Sequence, residues 1–137
     1  MRNVYTAIAT ATGRDGRAVT SDGKLDLDLS LPVEMGGDGV GTNPEQLFAA
    51  GYAACFATSM KLVAPRKNLD VSDASVTAEV DLAPNGAGGY KLDVTLRIKL
   101  PDDLAPPVAR ELVEATHHVC PYSNATRGNI PVNLVIE

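Results

Sequence analysis

Between Asn43 and Pro65 the chain carries a stretch that is apolar in every direction a helix can face: Leu47, Phe48, Ala50, Tyr52, Ala54, Cys55, Phe56, Met60, Leu62 and Val63. Its start is well marked. Asn43 is a good N-cap, Pro44 suits the first helical position, and Gln46 can complete a capping box. The helix is expected to run to about Ala64, ahead of Pro65. A helix apolar on every face must be buried on every face. Thr58, Ser59 and Lys61 interrupt the stretch and its alanines are weakly hydrophobic, so it reads as a buried helix and not as a membrane span. Six of the chain's 18 alanines lie here, and with Gly51 they leave room for another helix to pack close. A chain of 137 residues has trouble covering such a helix alone, because small domains bury only part of their surface. The expectation is an intertwined homodimer in which two central helices pack together and the sheets cover them.

The flanking segments supply those sheets. Val4 to Thr12 reads as a strand, Gly13 to Arg17 as a turn, and Ala18 to Ser21 as a short strand ending at the Asp22-Gly23 turn signal. Leu25, Leu27, Leu29 and Leu31 alternate with Asp26, Asp28 and Ser30, the period of a half-buried strand. The glycine run Gly36 to Gly41 lacks the Lys-Ser/Thr of a phosphate loop and reads as a mobile loop. Ser75 to Leu82 and Tyr90 to Leu100 both alternate and are joined by a Pro-Asn-Gly-rich hairpin loop. Pro106-Pro107 opens a second helix to about Val119, with Val108, Leu112, Ala115 and Val119 expected to face inward. Val132 to Ile136 closes the chain as a strand. The order is βββ-α-ββ-α-β, an α+β pattern in one domain spanning 1–137.

Charge and cysteine content narrow the function. The net charge is −5, which gives no footprint for a phosphate backbone, so nucleic acid is a poor partner. Met1 to Arg14 has no continuous apolar region of a signal peptide. The expected location is the cytoplasm, where two cysteines seldom form a permanent disulfide and a transient catalytic or sensing pair is the better reading.

Taken singly, the chemically capable residues are ambiguous. Cys55 lies inside the apolar helix, where a thiol can be an inert small hydrophobe. Cys120 ends a helix, where the dipole disfavours a thiolate and suits a resolving cysteine better than an attacking one. His117 and His118 could join the cysteines in a zinc site, but the spacing lacks the usual paired ligands. A Cys–His hydrolase dyad with Cys55 as nucleophile is a further possibility, with no oxyanion hole announced. Arg14 can be a solvated turn charge, and Glu45 a first-turn acid favoured by the helix dipole.

Together these segments resemble a known family. Gly41-Thr42-Asn43-Pro44-Glu45-Gln46-Leu47-Phe48-Ala49-Ala50-Gly51-Tyr52-Ala53-Ala54-Cys55-Phe56 is similar to the first cysteine motif of the organic hydroperoxide resistance proteins, a branch of the OsmC-like superfamily. Val119-Cys120-Pro121-Tyr122-Ser123-Asn124-Ala125-Thr126-Arg127-Gly128-Asn129 is similar to the second. Thr12-Gly13-Arg14-Asp15-Gly16 resembles the N-terminal arginine turn, with Arg17 close by. The likeness covers nearly the whole chain.

The resemblance implies an OsmC-like fold and a thiol peroxidase that uses no metal, haem or flavin. Cys55 is then the peroxidatic nucleophile, and Cys120 resolves its sulfenic acid to a disulfide. Arg14 stabilises the thiolate and polarises the peroxide, and Glu45 holds Arg14. The implied partners are an organic hydroperoxide and, as external reductant, a dihydrolipoyl group on a lipoylated protein. A buried Arg can move a Cys pKa from ~8.5 toward ~5–6, and it needs a carboxylate in turn. Phe48, Tyr52, Phe56 and Met60 are candidate lining residues. Glu45 and Cys55 stand ten residues apart on one helix, about 15 Å. The expectation is therefore that Arg14 and Glu45 of one subunit serve Cys55 and Cys120 of the other. The alternatives left open are a redox-sensing or acyl-chain-binding protein of the same fold, and the hydrolase.

Overall fold

The computed structural model describes residues 1–137 and is α+β, with two three-stranded sheets and three helices. Two compact units divide it, Met1–Leu47 and Phe48–Glu137.

In the first unit, strands β1 (Ala9–Ala11), β2 (Arg17–Thr20) and β3 (Asp26–Asp28) form an antiparallel sheet in that order. The strands are shorter than the alternation of residues suggests. β2 is only four residues long and ends at the Asp22-Gly23 turn, so partners for residues before Ile8 run out. The last rung is the Ser21 N–H donating to the Ile8 carbonyl at 2.9 Å. The leucine stretch likewise pairs with β2 only through Asp26–Asp28. Buried Leu29 then leaves the sheet for a parallel bridge to Thr42. In the turn from β1 to β2, a Cβ at Gly16 would meet Thr12 Oγ1, so a larger residue there requires the Thr12 side chain to turn away. The glycine run is pinned by its own hydrogen bonds: Gly37 N–H to Pro32 O, Gly39 N–H to Leu31 O, and Gly41 N–H to Ser30 Oγ. A short 3-10 turn, Val33–Met35, precedes it.

Helix α1 (Pro44–Val63) begins as its cap residues dictate, with the Gln46 N–H donating to Asn43 Oδ1 at 2.8 Å. By length and composition the stretch Pro44–Lys67 could cross a membrane. Its buried side chains instead lie in a protein core. In the second unit, Tyr52, Phe56, Met60 and Val63 pack with Leu96, Ile98, Leu112, Val113 and Cys120. These α1 residues follow an i, i+4, i+8, i+11 stripe, as one helix face does. The other side is bare: Ala50, Ala54, Thr58 and Leu62 are exposed. Burial on every face is thus not reached within one chain.

The sheet of this unit has the order β4-β5-β6. β4 (Ser75–Pro84) and β5 (Tyr90–Lys99) pair antiparallel from Ser75↔Lys99 to Pro84↔Tyr90. β6 (Val132–Ile136) lies parallel to β5, which requires a crossover. Helices α2 (Pro106–Val119) and α3 (Pro121–Thr126) provide it. α2 buries Ala109, Leu112, Val113 and Thr116, whereas Val108 and Val119 are each 37% exposed. The inward face is therefore rotated from the one expected. Thr116 can face the core because its hydroxyl donates to the Leu112 carbonyl at 2.8 Å.

Candidate active site

Helix α3 is absent from the sequence-based expectation, and it decides the surroundings of both cysteines. Cys120 closes α2 and at the same time precedes α3, with extended backbone (φ −60°, ψ 122°). Its N–H donates to Thr116 O, and its own carbonyl accepts from the Asn124 N–H, each at 2.9 Å. Pro121 fits the first helical position, where no donor is needed. The fully buried Cys120 thiol donates to Cys55 Sγ at 3.5 Å. Both cysteines are free thiols, and Cys55 is half-buried. A disulfide needs ~2.05 Å, so closing one requires the sulfurs to approach by about 1.5 Å.

Burial is the largest influence on Cys55 and pushes its thiol above the usual range. The Tyr122 backbone N–H points at this sulfur and pulls the other way, and the neighbouring Cys120 raises it again. A thiolate here needs a positive charge nearby.

The Tyr122 side chain covers α1 at Gly51, where a Cβ would meet its Oη at 2.8 Å. The room left by Gly51 is filled by this ring from the same chain. Phe48, Tyr52 and Tyr122 form an aromatic trio with centroids 5.7–6.0 Å apart. Phe48 and Tyr122 also line an open cleft of about 850 Å³, together with Leu82, Tyr90, Leu92 and Ile130. Of the four lining candidates, only Phe48 faces this cleft. Tyr52, Phe56 and Met60 have no exposed surface and belong to the core.

In the first unit, Arg14 grips Glu45 with both prongs of its guanidinium, Nη1 to Oε2 at 3.1 Å and Nη2 to Oε1 at 2.8 Å. Glu45 lies in the first turn of α1. The pair holds the Arg14 proton more firmly than usual, the hydrogen bonds to Glu45 being the main cause. Arg17 is engaged elsewhere, bonded to Asp26 across the β2–β3 ladder at 2.6 and 2.5 Å.

His117 Nδ1 lies 2.8 Å from Ser123 Oγ. Burial, then Arg127 and His118, lower the His117 pKa, against a weaker pull from Glu114. No group of three or more His, Cys, Asp or Glu side chains is placed to hold a metal ion. Sequence reasoning missed Tyr122, Ser123 and Thr126 as site neighbours. The available signal was Cys-Pro, which starts a helix as readily as it ends one.

Residues 36–135 match the family described as OsmC-like protein. An organic hydroperoxide resistance protein of Xanthomonas axonopodis pv. citri is 52% identical over 136 residues, covering 97% of this chain and 94% of the relative. The crystal structure of an organic hydroperoxide resistance protein from Elizabethkingia anophelis superposes with a TM-score of 0.94 at 41% identity, covering 100% of this chain and 99% of that one. The organic hydroperoxide resistance protein OhrB of Bacillus subtilis superposes with a TM-score of 0.88 at 44% identity, covering 98% and 100%.

Proposed function

Because this chain belongs to the OsmC-like family, with relatives named for organic hydroperoxide resistance, we propose that it protects against organic hydroperoxides by reducing them to alcohols. The observation that carries the reading is the pair of sulfurs 3.5 Å apart, one half-exposed and the other buried behind it.

Cys55 acts as thiolate and attacks the outer peroxide oxygen. The O–O bond breaks, the alkoxide takes a proton and leaves as the alcohol, and Cys55 becomes a sulfenic acid. Cys120 then attacks the Cys55 sulfur. The S–S bond forms, the S–O bond breaks, and the oxygen leaves as water with the thiol's proton. A dihydrolipoyl dithiol, free or on a lipoylated protein, returns the disulfide to two thiols by exchange. The cleft lined by Phe48, Tyr122 and Leu92 takes the organic part of the peroxide, which favours alkyl and fatty-acid hydroperoxides over hydrogen peroxide. No metal, haem or flavin takes part.

Arg14 supplies the positive charge, and Glu45 fixes its orientation through the two-pronged bond. Cys55 needs this help, since burial alone raises its pKa. Ten residues of helix separate Glu45 from Cys55, about 15 Å, so the arginine pair of one subunit serves the thiols of the other in a homodimer. The exposed Ala50, Ala54, Thr58 and Leu62 side of α1 supports such a dimer, because small side chains let a second α1 approach closely. The chain works as one domain, in the cytoplasm.

The test is consumption of tert-butyl and fatty-acid hydroperoxides with dihydrolipoamide, comparing the reduced wild type with Cys55→Ser. Turnover by the wild type alone is expected. No turnover by the reduced wild type overturns the reading. Activity lost without His117 or His118 but independent of Cys120 points to the hydrolase instead.

A further inference from the structure

Next to the sulfurs lies a chain of buried hydroxyls that the thiol chemistry above does not use. Tyr52 OH is 2.8 Å from Ser123 Oγ and 3.2 Å from Thr126 Oγ1. Ser123 Oγ is in turn 2.8 Å from His117 Nδ1. Tyr52 and Ser123 have no exposed surface, and Thr126 is 5% exposed. Three helices thus meet at one serine: α1 through Tyr52, α2 through His117, and α3 through Ser123 itself. Tyr52 precedes Cys55 by three residues and so stands one turn away on a neighbouring face of α1. Ser123 follows Cys120 by three residues. The hydroxyl pair and the sulfur pair are therefore two parallel rungs between α1 and the α2–α3 corner.

The corner's other hydrogen bonds to α1, from the Cys120 thiol and the Tyr122 backbone N–H, both end on the Cys55 sulfur itself. Arg127 Nη2 donates to the His117 carbonyl at 2.6 Å and to Asn124 Oδ1 at 2.7 Å, closing the corner on itself. The hydrogen bonds that tie it to α1 without using a reacting sulfur are those of Tyr52. A buried hydroxyl bond is directional and short-ranged, whereas apolar packing tolerates sliding. The rung at Tyr52 is thus suited to set how near the Cys120 sulfur stands to Cys55.

We infer that Tyr52 and Ser123 are positioning residues for the resolving cysteine, holding the Cys120 corner at the separation from which the disulfide closes. The inference rests on the disulfide reading above. In the step concerned, Cys120 attacks the Cys55 sulfenic acid, the S–S bond forms, and water leaves. Neither hydroxyl exchanges atoms with substrate. A misplacement on the order of 1 Å slows a well-oriented step by ~10²-fold, so losing the rung should slow closure by roughly 10- to 100-fold.

The experiment compares wild type, Tyr52→Phe and Ser123→Ala, pre-reduced and mixed with a small excess of tert-butyl hydroperoxide. Samples quenched in acid and dimedone are read by mass spectrometry. This separates loss of the Cys55 thiol, which depends on peroxide concentration, from disulfide closure, which does not. The expected result is an unchanged first step, closure slowed roughly 10- to 100-fold, and accumulation of dimedone-trapped and over-oxidised Cys55. Ile98→Val, a core truncation in β5 outside the site, controls for softened packing and should close at the wild-type rate while melting earlier. Closure at the wild-type rate in both hydroxyl variants overturns the inference and leaves the disulfide reading standing. So does equal slowing of both steps, or slowing that Ile98→Val reproduces. A wild type that consumes peroxide without ever forming the Cys55–Cys120 disulfide overturns the inference together with the reading beneath it.

Discussion

Replacing Gly51 by alanine sets two effects of opposite sign against each other. In a helix interior, Gly→Ala gains about 1 kcal/mol through backbone entropy. Here the added Cβ would stand 2.8 Å from Tyr122 Oη, 3.2 Å from Cε2 and 3.3 Å from Cζ. Comfortable contact begins near 3.5 Å, so the ring must retreat by about 0.5 Å. Overpacking of this kind costs about 1–3 kcal/mol, and the low end applies because Tyr122 is 38% exposed and can yield. The net effect of Gly51→Ala is a loss of ~0–1 kcal/mol, a fall in melting midpoint of roughly 0–5 °C. In a Tyr122→Ala background the clash is gone, and the same change should stabilise by about 1 kcal/mol. A double-mutant cycle by thermal and urea denaturation of the reduced protein measures the coupling, expected at ~1–2 kcal/mol. Equal stabilisation by Gly51→Ala in both backgrounds refutes the argument, since the ring would then not be seated on this turn.

Other expectations are simpler. Asn43→Ala removes the cap accepting from Gln46 and should lower stability by about 1 kcal/mol in denaturant melts, with Asn43→Asp close to wild type. In an NMR titration, His117 should show a midpoint below the ordinary histidine value, burial being the main cause. Because its folded pKa is depressed, its contribution to stability is full above the unfolded value of ~6.5 and is lost as pH falls through the folded one. His117→Gln should therefore flatten the decline in melting midpoint over that window. Mixing Arg14→Ala chains with Cys55→Ser chains should restore part of the peroxidase activity, because one site of each heterodimer is then intact. No recovery in verified heterodimers refutes a site shared between subunits.

The elements most legible in the sequence were those with local, redundant signals. Asn43-Pro44 marks the start of α1, and the alternation of Val76 to Leu82 with Leu92 to Ile98 is the pattern of the β4–β5 hairpin. The errors have physical causes. The sequence places the inward face of α2 on its apolar residues Val108, Leu112, Ala115 and Val119, yet a hydroxyl that bonds its own helix backbone can be buried, and Thr116 joins Ala109, Leu112 and Val113 inside. Helix α3 was hidden because Cys120-Pro121 satisfies the rules for ending one helix and for beginning the next. Long alternating runs at Val4–Thr12 and Leu25–Leu31 need partner strands of equal length, and β2 is too short to provide one. Of the candidate site, the residue types were readable one at a time. The approach of Cys55 to Cys120 was not, because no local periodicity relates positions 65 residues apart. The resemblance of the flanking motifs supplied that pairing, and neither motif advertised the hydroxyls of Tyr52 and Ser123.

The same separation has a consequence for robustness. A bond between these sulfurs would close a ring of chain that includes the whole β4–β5 hairpin and α2. Constraining 65 residues in the unfolded state corresponds to about 4 kcal/mol in a chain-entropy estimate. That is a large share of the ~5–15 kcal/mol by which domains hold together. If the pair cycles as proposed, oxidation also raises the stability of the fold and reduction removes that gain. On that reading the dithiol form would be the more easily unfolded and cut by proteases, and the disulfide form the longer-lived.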